Sequence, residues 1–69
     1  MDWNWSKNEH ANSESYFDGE NAVIIWIIQT GFEGVYIVTF DDAEEVLLGQ
    51  TFILNKKQIK EKYGISIQI

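Results

Sequence analysis

His10 is the only histidine of the chain and there is no cysteine, so any imidazole chemistry rests on one ring and there is no thiolate chemistry. Glu14 follows four residues later and would share a face with His10 on a helix. Zinc requires at least one further ligand, usually two, and no second His or Cys provides a familiar spacing. A solvated polar residue is the simpler role for His10. Asp18-Gly19-Glu20-Asn21 resembles a fragment of a calcium loop, but the regular acidic spacing and the closing bidentate glutamate are missing, which leaves a turn. None of Ser6, Ser13, Ser15 and Ser66 lies in a strand-to-helix elbow, and His10 would be the only base available to activate them. Gly31 and Gly34 flank a turn and precede no helix carrying a Lys-Ser/Thr pair, so they form no phosphate loop. Asp41, Asp42, Glu44 and Glu45 are neighbouring carboxylates, yet at a helix start capping and the helix dipole account for them without a reaction. These residues point to no catalytic set, no metal and no cofactor, and the chain is expected not to be an enzyme.

What the sequence does carry is charge. Eleven Asp and Glu stand against five Lys and no Arg in 69 residues, for a net charge of −6. Residues 1–45 hold ten of the eleven acids and one base, Lys7, a net of −9; residues 46–69 hold four lysines and Glu61, a net of +3. Such a chain does not seek nucleic acid or an anionic membrane, whereas its field attracts a basic protein surface. With 45% apolar residues it is too hydrophobic for a disordered acidic tail. Met1-Asp2-Trp3 opens no signal peptide, and the strongly apolar run 22–28 is too short to cross a bilayer as a helix. A soluble, cytoplasmic protein is expected. Ten Ile and five Asn against no Pro and no Arg suggest an AT-rich genome, such as that of a low-GC bacterium or one of its phages.

The elements that must position these charges can be read from periodicity. At this length one domain, residues 1–69, is expected, burying only about 60% of its unfolded surface. Residues 1–21 form a polar lead-in. Ser6-Lys7-Asn8-Glu9 fits a capping box and allows a short amphipathic helix, but the Asn and Ser content favours an irregular stretch pinned by Trp3/Trp5 and Tyr16/Phe17. Two β-branched and aromatic runs, 22–30 and 35–41, separated by Gly31-Phe32-Glu33-Gly34, describe an antiparallel hairpin over 22–41. In its first strand Val23, Ile25 and Ile27 alternate with Ile24, Trp26 and Ile28, so both faces are apolar and the strand belongs in the centre of a sheet. Residues 42–48 read as a short helix capped by Asp42 and ended by Gly49, with a strand from Glu45 to Leu48 as the rival. Thr51 to Leu54 is a strand either way. Asn55 as N-cap, Gln58 as its capping-box partner and Gly64 beyond the end define a helix over 56–63. Ile65, Ile67 and Ile69 alternate with polar residues, which describes a half-buried strand over 65–69. The expected fold is α+β with a small, mainly antiparallel sheet.

In length, net charge and aromatic content the chain resembles small phage-type DNA-mimic inhibitors, whose targets include DNA-glycosylase, restriction, CRISPR and replication proteins. The resemblance implies an acidic inhibitor or modulator that occupies the basic DNA-binding surface of a host protein and binds no nucleic acid itself. Duplex DNA is the commonest ligand of such surfaces, and carboxylates can stand where its phosphates would sit. The expected contact charges are Glu33, Asp41, Asp42, Glu44 and Glu45, followed by Asp18 and Glu20. Acids beside aromatics suit a hot spot within a charged rim, which makes Phe32, Trp3 and Trp5 the candidate anchors if exposed. The rival is an immunity-type or regulatory protein that neutralises one partner by shape alone. A small metal protein or enzyme stands behind both and would need a pocket joining His10 to Glu14 or Asp18. The two apolar faces of the first hairpin strand further imply a homodimer, since so short a chain has little material to cover both.

Overall fold

The computed structural model of the chain describes residues 3–41 and 49–69. Five strands follow in order, β1 (Ser6–Glu9), β2 (Ser13–Asp18), β3 (Val23–Gln29), β4 (Tyr36–Asp41) and β5 (Thr51–Leu54), and one helix, α1 (Lys56–Tyr63), comes after them. The strands form a single antiparallel meander in which spatial order equals chain order, an open sheet with β1 and β5 at its edges. With α1 on this sheet, the fold is a small α+β one.

β3 occupies the centre of the sheet, and its alternation separates the two faces. Val23, Ile25 and Ile27 are buried, while Ile24, Trp26 and Ile28 are only half-buried. In register, Tyr16, Ile25 and Phe40 line up across β2, β3 and β4, and Ile27, Val38 and Phe52 line up across β3, β4 and β5. These side chains, with Tyr36 and Leu54, make the floor of the core, and Ile59, Ile65 and Ile67 close it from above. Phe40 meets Phe52 and Tyr63 edge-on, with ring centroids 6.2 and 5.6 Å away, and so ties the floor to the helix.

α1 forms where its local signals place it. The Asn55 side chain accepts from the Gln58 N–H at 2.8 Å and the Gln58 side chain accepts from the Asn55 N–H at 2.9 Å, a complete capping box. Gly64 takes the left-handed conformation, φ 71° and ψ 19°, and its N–H closes on the Lys60 carbonyl. Ile59 faces inward and the lysines of α1 remain in water.

Two expectations differ from the structure. The lead-in is neither irregular nor helical: β1 and β2 form a hairpin that docks on β3. Its strand character was masked because the inward positions of β2 include the acids Glu14 and Asp18 beside Tyr16, where an apolar residue would have announced the alternation. Residues 65–69 do alternate as expected, with Ile65 and Ile67 buried and Ser66 and Gln68 exposed, but they belong to no strand. They cross the core face instead, held by the Gln68 N–H to Glu14 Oε1 at 3.2 Å and by the Tyr36 hydroxyl to the Ile69 carbonyl at 2.7 Å. A helix about 10 Å wide covers only half of a five-stranded sheet about 19 Å across, and this segment covers much of the rest. The short helix expected over 42–48 lies outside the described residues.

Candidate functional site

The meander sorts the candidate residues between its two ends. At one end the β2–β3 turn and the end of β4 come together, because Asp41 pairs with Ile24 and Asp18 with Val23. Exposed Glu20 and exposed Asp41 both lie here, and Asp42, Glu44 and Glu45, outside the described residues, follow Asp41 in sequence. Asp18, expected as a contact charge, is fully buried and is withheld from any partner. Its carboxylate accepts from the Asn21 side-chain amide at 2.9 Å and from the backbone N–H groups of Asn4 at 3.1 Å, Glu20 at 2.9 Å and Asn21 at 3.4 Å. The Asn21 amide, helped by those N–H groups, holds the carboxyl below its ordinary value despite burial. Asp18 is thus the internal clamp of a turn in which Ala22 adopts a positive φ of 51°.

Glu33 and Phe32 lie at the opposite end, in the β3–β4 loop. Phe32 is 78% exposed. The Thr30 hydroxyl braces the loop, accepting from the Phe32 N–H at 3.0 Å and donating toward the Val35 carbonyl at 2.9 Å. The loop curls around an open concavity of about 240 Å³ whose ionisable groups, among the described residues, are Glu33 and the buried Tyr36. The Tyr36 hydroxyl is already committed to the Ile69 carbonyl at 2.7 Å. Asp41 and Glu33 are therefore separated by the length of β4, roughly 20 Å, and these two expected contact charges lie at opposite ends of the sheet.

Trp3 and Trp5 stack on each other with centroids 4.7 Å apart and pack half-buried against the core. The Trp5 indole N–H donates to the Tyr63 carbonyl at 2.8 Å, satisfying a carbonyl at the end of α1. Their position is that of a strap joining the N-terminal segment to the helix, and Phe32 remains the exposed aromatic of the three.

His10 and Glu14 are on opposite faces of the sheet. The His10 ring lies on Trp26, centroids 5.0 Å apart, with Nε2 3.0 Å from the Ser15 hydroxyl. Glu14 points into the core, where Lys7 Nζ approaches Oε2 at 2.8 Å, the Tyr16 hydroxyl donates to Oε1 at 2.7 Å and the Gln68 N–H reaches the same oxygen. Burial pushes the Glu14 carboxyl upward, and the bonds from Lys7, Tyr16 and Gln68 outweigh it and hold the group below its ordinary value. Burial and this carboxylate together drive the Tyr16 phenol well above the normal phenolic range. Among the described residues no group of three or more His, Asp or Glu side chains is placed to hold a metal ion.

Charge is sorted unevenly between the layers: among the described residues Glu61 is the one acid on α1, and Lys7, paired with Glu9 and Glu14, is the one lysine on the sheet. Lys56, Lys57, Lys60 and Lys62 are all exposed on α1, whereas Glu20, Glu33 and Asp41 are exposed at the ends of the sheet. The sheet face turned away from α1 carries Ile24, Trp26, Ile28 and Ile37 half-exposed, with Phe17 at 43% and Ile53 at 60% exposure. Sequence reasoning named only the β3 residues of this face, from the double apolar alternation of one strand. Comparison with protein-family models, with curated proteins and with solved structures finds no match to the chain. Among the described residues no helix is long and apolar enough to cross a membrane.

Proposed function

We propose that this chain is a small protein-binding inhibitor or modulator, a DNA mimic whose carboxylates occupy the basic DNA-binding surface of another protein. The observation that carries this reading is the segregation of charge. Exposed Glu20 and Asp41 lie at the same end of the sheet, and Asp42, Glu44 and Glu45 follow Asp41 in sequence, while the lysines of α1 stand on a separate layer. A surface with carboxylates and few cations has a field that attracts basic partners and weakens with salt. Glu33 beside exposed Phe32 offers a second, smaller contact at the other end.

The test is displacement by DNA. Immobilised chain is incubated with bacterial lysate, and the retained proteins are eluted with duplex DNA, with salt, or with neutral polymer. A mimic retains basic proteins that duplex DNA releases, and the variant reversing Glu20, Asp41, Asp42, Glu44 and Glu45 to lysine retains none of them. Retention unchanged by that variant, or release by none of the DNA concentrations that saturate the retained protein, overturns the reading. The second reading, an immunity-type protein acting by shape, draws on the apolar sheet face and is marked by retention that salt does not weaken.

A further inference from the structure

The sheet face opposite α1 is apolar in a way that the rest of this acidic surface is not. Its apolar positions, Phe17, Ile24, Trp26, Ile28, Ile37 and Ile53, spread over β2, β3, β4 and β5, and the register makes them contiguous: Phe17 beside Ile24, Ile28 beside Ile37, Ile37 beside Ile53. Serines, threonines and Asn8 fill the alternate positions. Among the described strand residues on this face the single charge is Asp41, at a corner where β4 ends. Trp26 sits in the middle of the central strand, and its indole N–H has no acceptor among the described residues.

We propose that a second copy of this chain covers this face, the two sheets packing face to face about a two-fold axis near Trp26. Charge decides between possible occupants. A basic partner finds almost nothing to pair with here. Two molecules of net charge −6 repel wherever acids would meet, and this is the surface on which their acids do not meet. The face fits an apolar surface of matching relief, and an isologous contact supplies one from the same sequence. Aligned sandwiches of this kind place two sheets about 10 Å apart with interdigitating side chains. Area sets the strength: five strands at about 4.8 Å spacing and six residues at about 3.3 Å give a footprint of roughly 450 Å² per copy. The pair buries about 900 Å², close to the roughly 1,000 Å² at the low end of specific association, which describes a weak, reversibly dissociating dimer. The aromatic Trp26 at its centre, with His10 against one side, is the anchor.

Sedimentation velocity of the full chain, from low micromolar to near-millimolar concentration, tests the proposal. The sedimentation coefficient rises from monomer to dimer across that range. Ile53→Lys and Phe17→Asp each put a charge into the face at a side chain already exposed in the monomer, so the fold, checked by far-UV circular dichroism, is retained. Each raises the dimer dissociation constant about tenfold or more. Lys57→Glu on the solvent side of α1 and Glu20→Lys at the acidic end leave the dimer intact. A wild-type chain that stays monomeric throughout overturns the proposal, as does a dimer that both face variants leave unchanged, because its interface then lies at a strand edge or elsewhere. Since Glu20→Lys reads the acidic end and Ile53→Lys reads the sheet face, failure of this dimer is distinguishable from failure of the DNA-mimic reading.

Discussion

Glu14 shows how much a single carboxylate can organise when it is buried with partners. It joins β1 through Lys7, β2 through Tyr16 and the C-terminal segment through Gln68, so three parts of the chain meet at two oxygens. Its folded-state pKa is depressed. A group of this kind binds more protons unfolded than folded in the acid range, so its contribution is present above the unfolded value and is lost as pH falls through the folded one. Asp18 acts in the same direction. Lys7, raised chiefly by its bond to Glu14, contributes below its ordinary value and loses that contribution only as alkaline pH rises through the folded value. Stability is therefore expected to decline on acidification below about pH 4. Glu14→Gln retains the shape but removes the charge facing Lys7. We expect it to cost about 2 kcal/mol at neutral pH and to flatten the acid limb of urea-unfolding stability against pH, Asp18 keeping its share. An unchanged midpoint with an unchanged acid limb would show that Glu14 is a bystander.

At the scale of elements, α1 depends on its two ends, because eight residues make a helix too short to hold itself. Asn55→Ala removes the acceptor for the Gln58 N–H and is expected to cost about 1 kcal/mol. Gly64→Ala places a Cβ at φ 71° and is expected to cost a similar amount, about 1 kcal/mol, although nothing obstructs the added carbon. Each should lower the thermal midpoint by roughly 4–8 °C, and a midpoint unmoved by both would mean that tertiary packing alone sets α1. The caps were legible in the sequence because their chemistry is local: Asn55, Gln58 three positions on, then Gly64 past the last turn. The hairpin of β3 and β4 was legible because its apolar runs are bounded by glycines. β1 and β2 were not, since what makes them strands is the partner they meet: Glu14 finds Lys7 across the ladder edge, and Asp18 finds backbone N–H groups of its own turn. Alternation at 65–69 told which side chains go inside but not whether a strand stands alongside. The candidate site suffered from the same limit. Acids adjacent in a list of charges are split by one strand length into two ends, and Asp18 and Glu14 are turned inward by hydrogen bonds that no composition reveals.

Among the described residues the molecule is one sheet with a thin cover on its core face, and segments from both the N- and C-terminal parts of the chain contribute to that cover. Trp3 and Trp5 pack against the core, Trp5 ties to Tyr63, and the C-terminal segment lies across the part of the core face that α1 leaves uncovered. Small domains of this size hold only about 0.05–0.15 kcal/mol per residue, or roughly 3–10 kcal/mol in all. Ile65 and Ile67 are buried, and truncating either to alanine should cost about 2–4 kcal/mol. Removal of residues 65–69 takes both, together with the bonds to Glu14 and Tyr36, and is expected to leave the chain unfolded at room temperature. Ser66→Ala and Gln68→Ala, at the exposed alternate positions, should stay within about 0.5 kcal/mol of the parent. Urea unfolding followed by tryptophan fluorescence separates these outcomes. If the chain lacking 65–69 still unfolds cooperatively with the parent midpoint, the cover over the core face is supplied by α1 alone and the C-terminal segment is an ornament on it. If Ile67→Ala and Gln68→Ala cost the same, the alternation that places one inside and the other in water is wrong, and with it the face of the sheet assigned to the core.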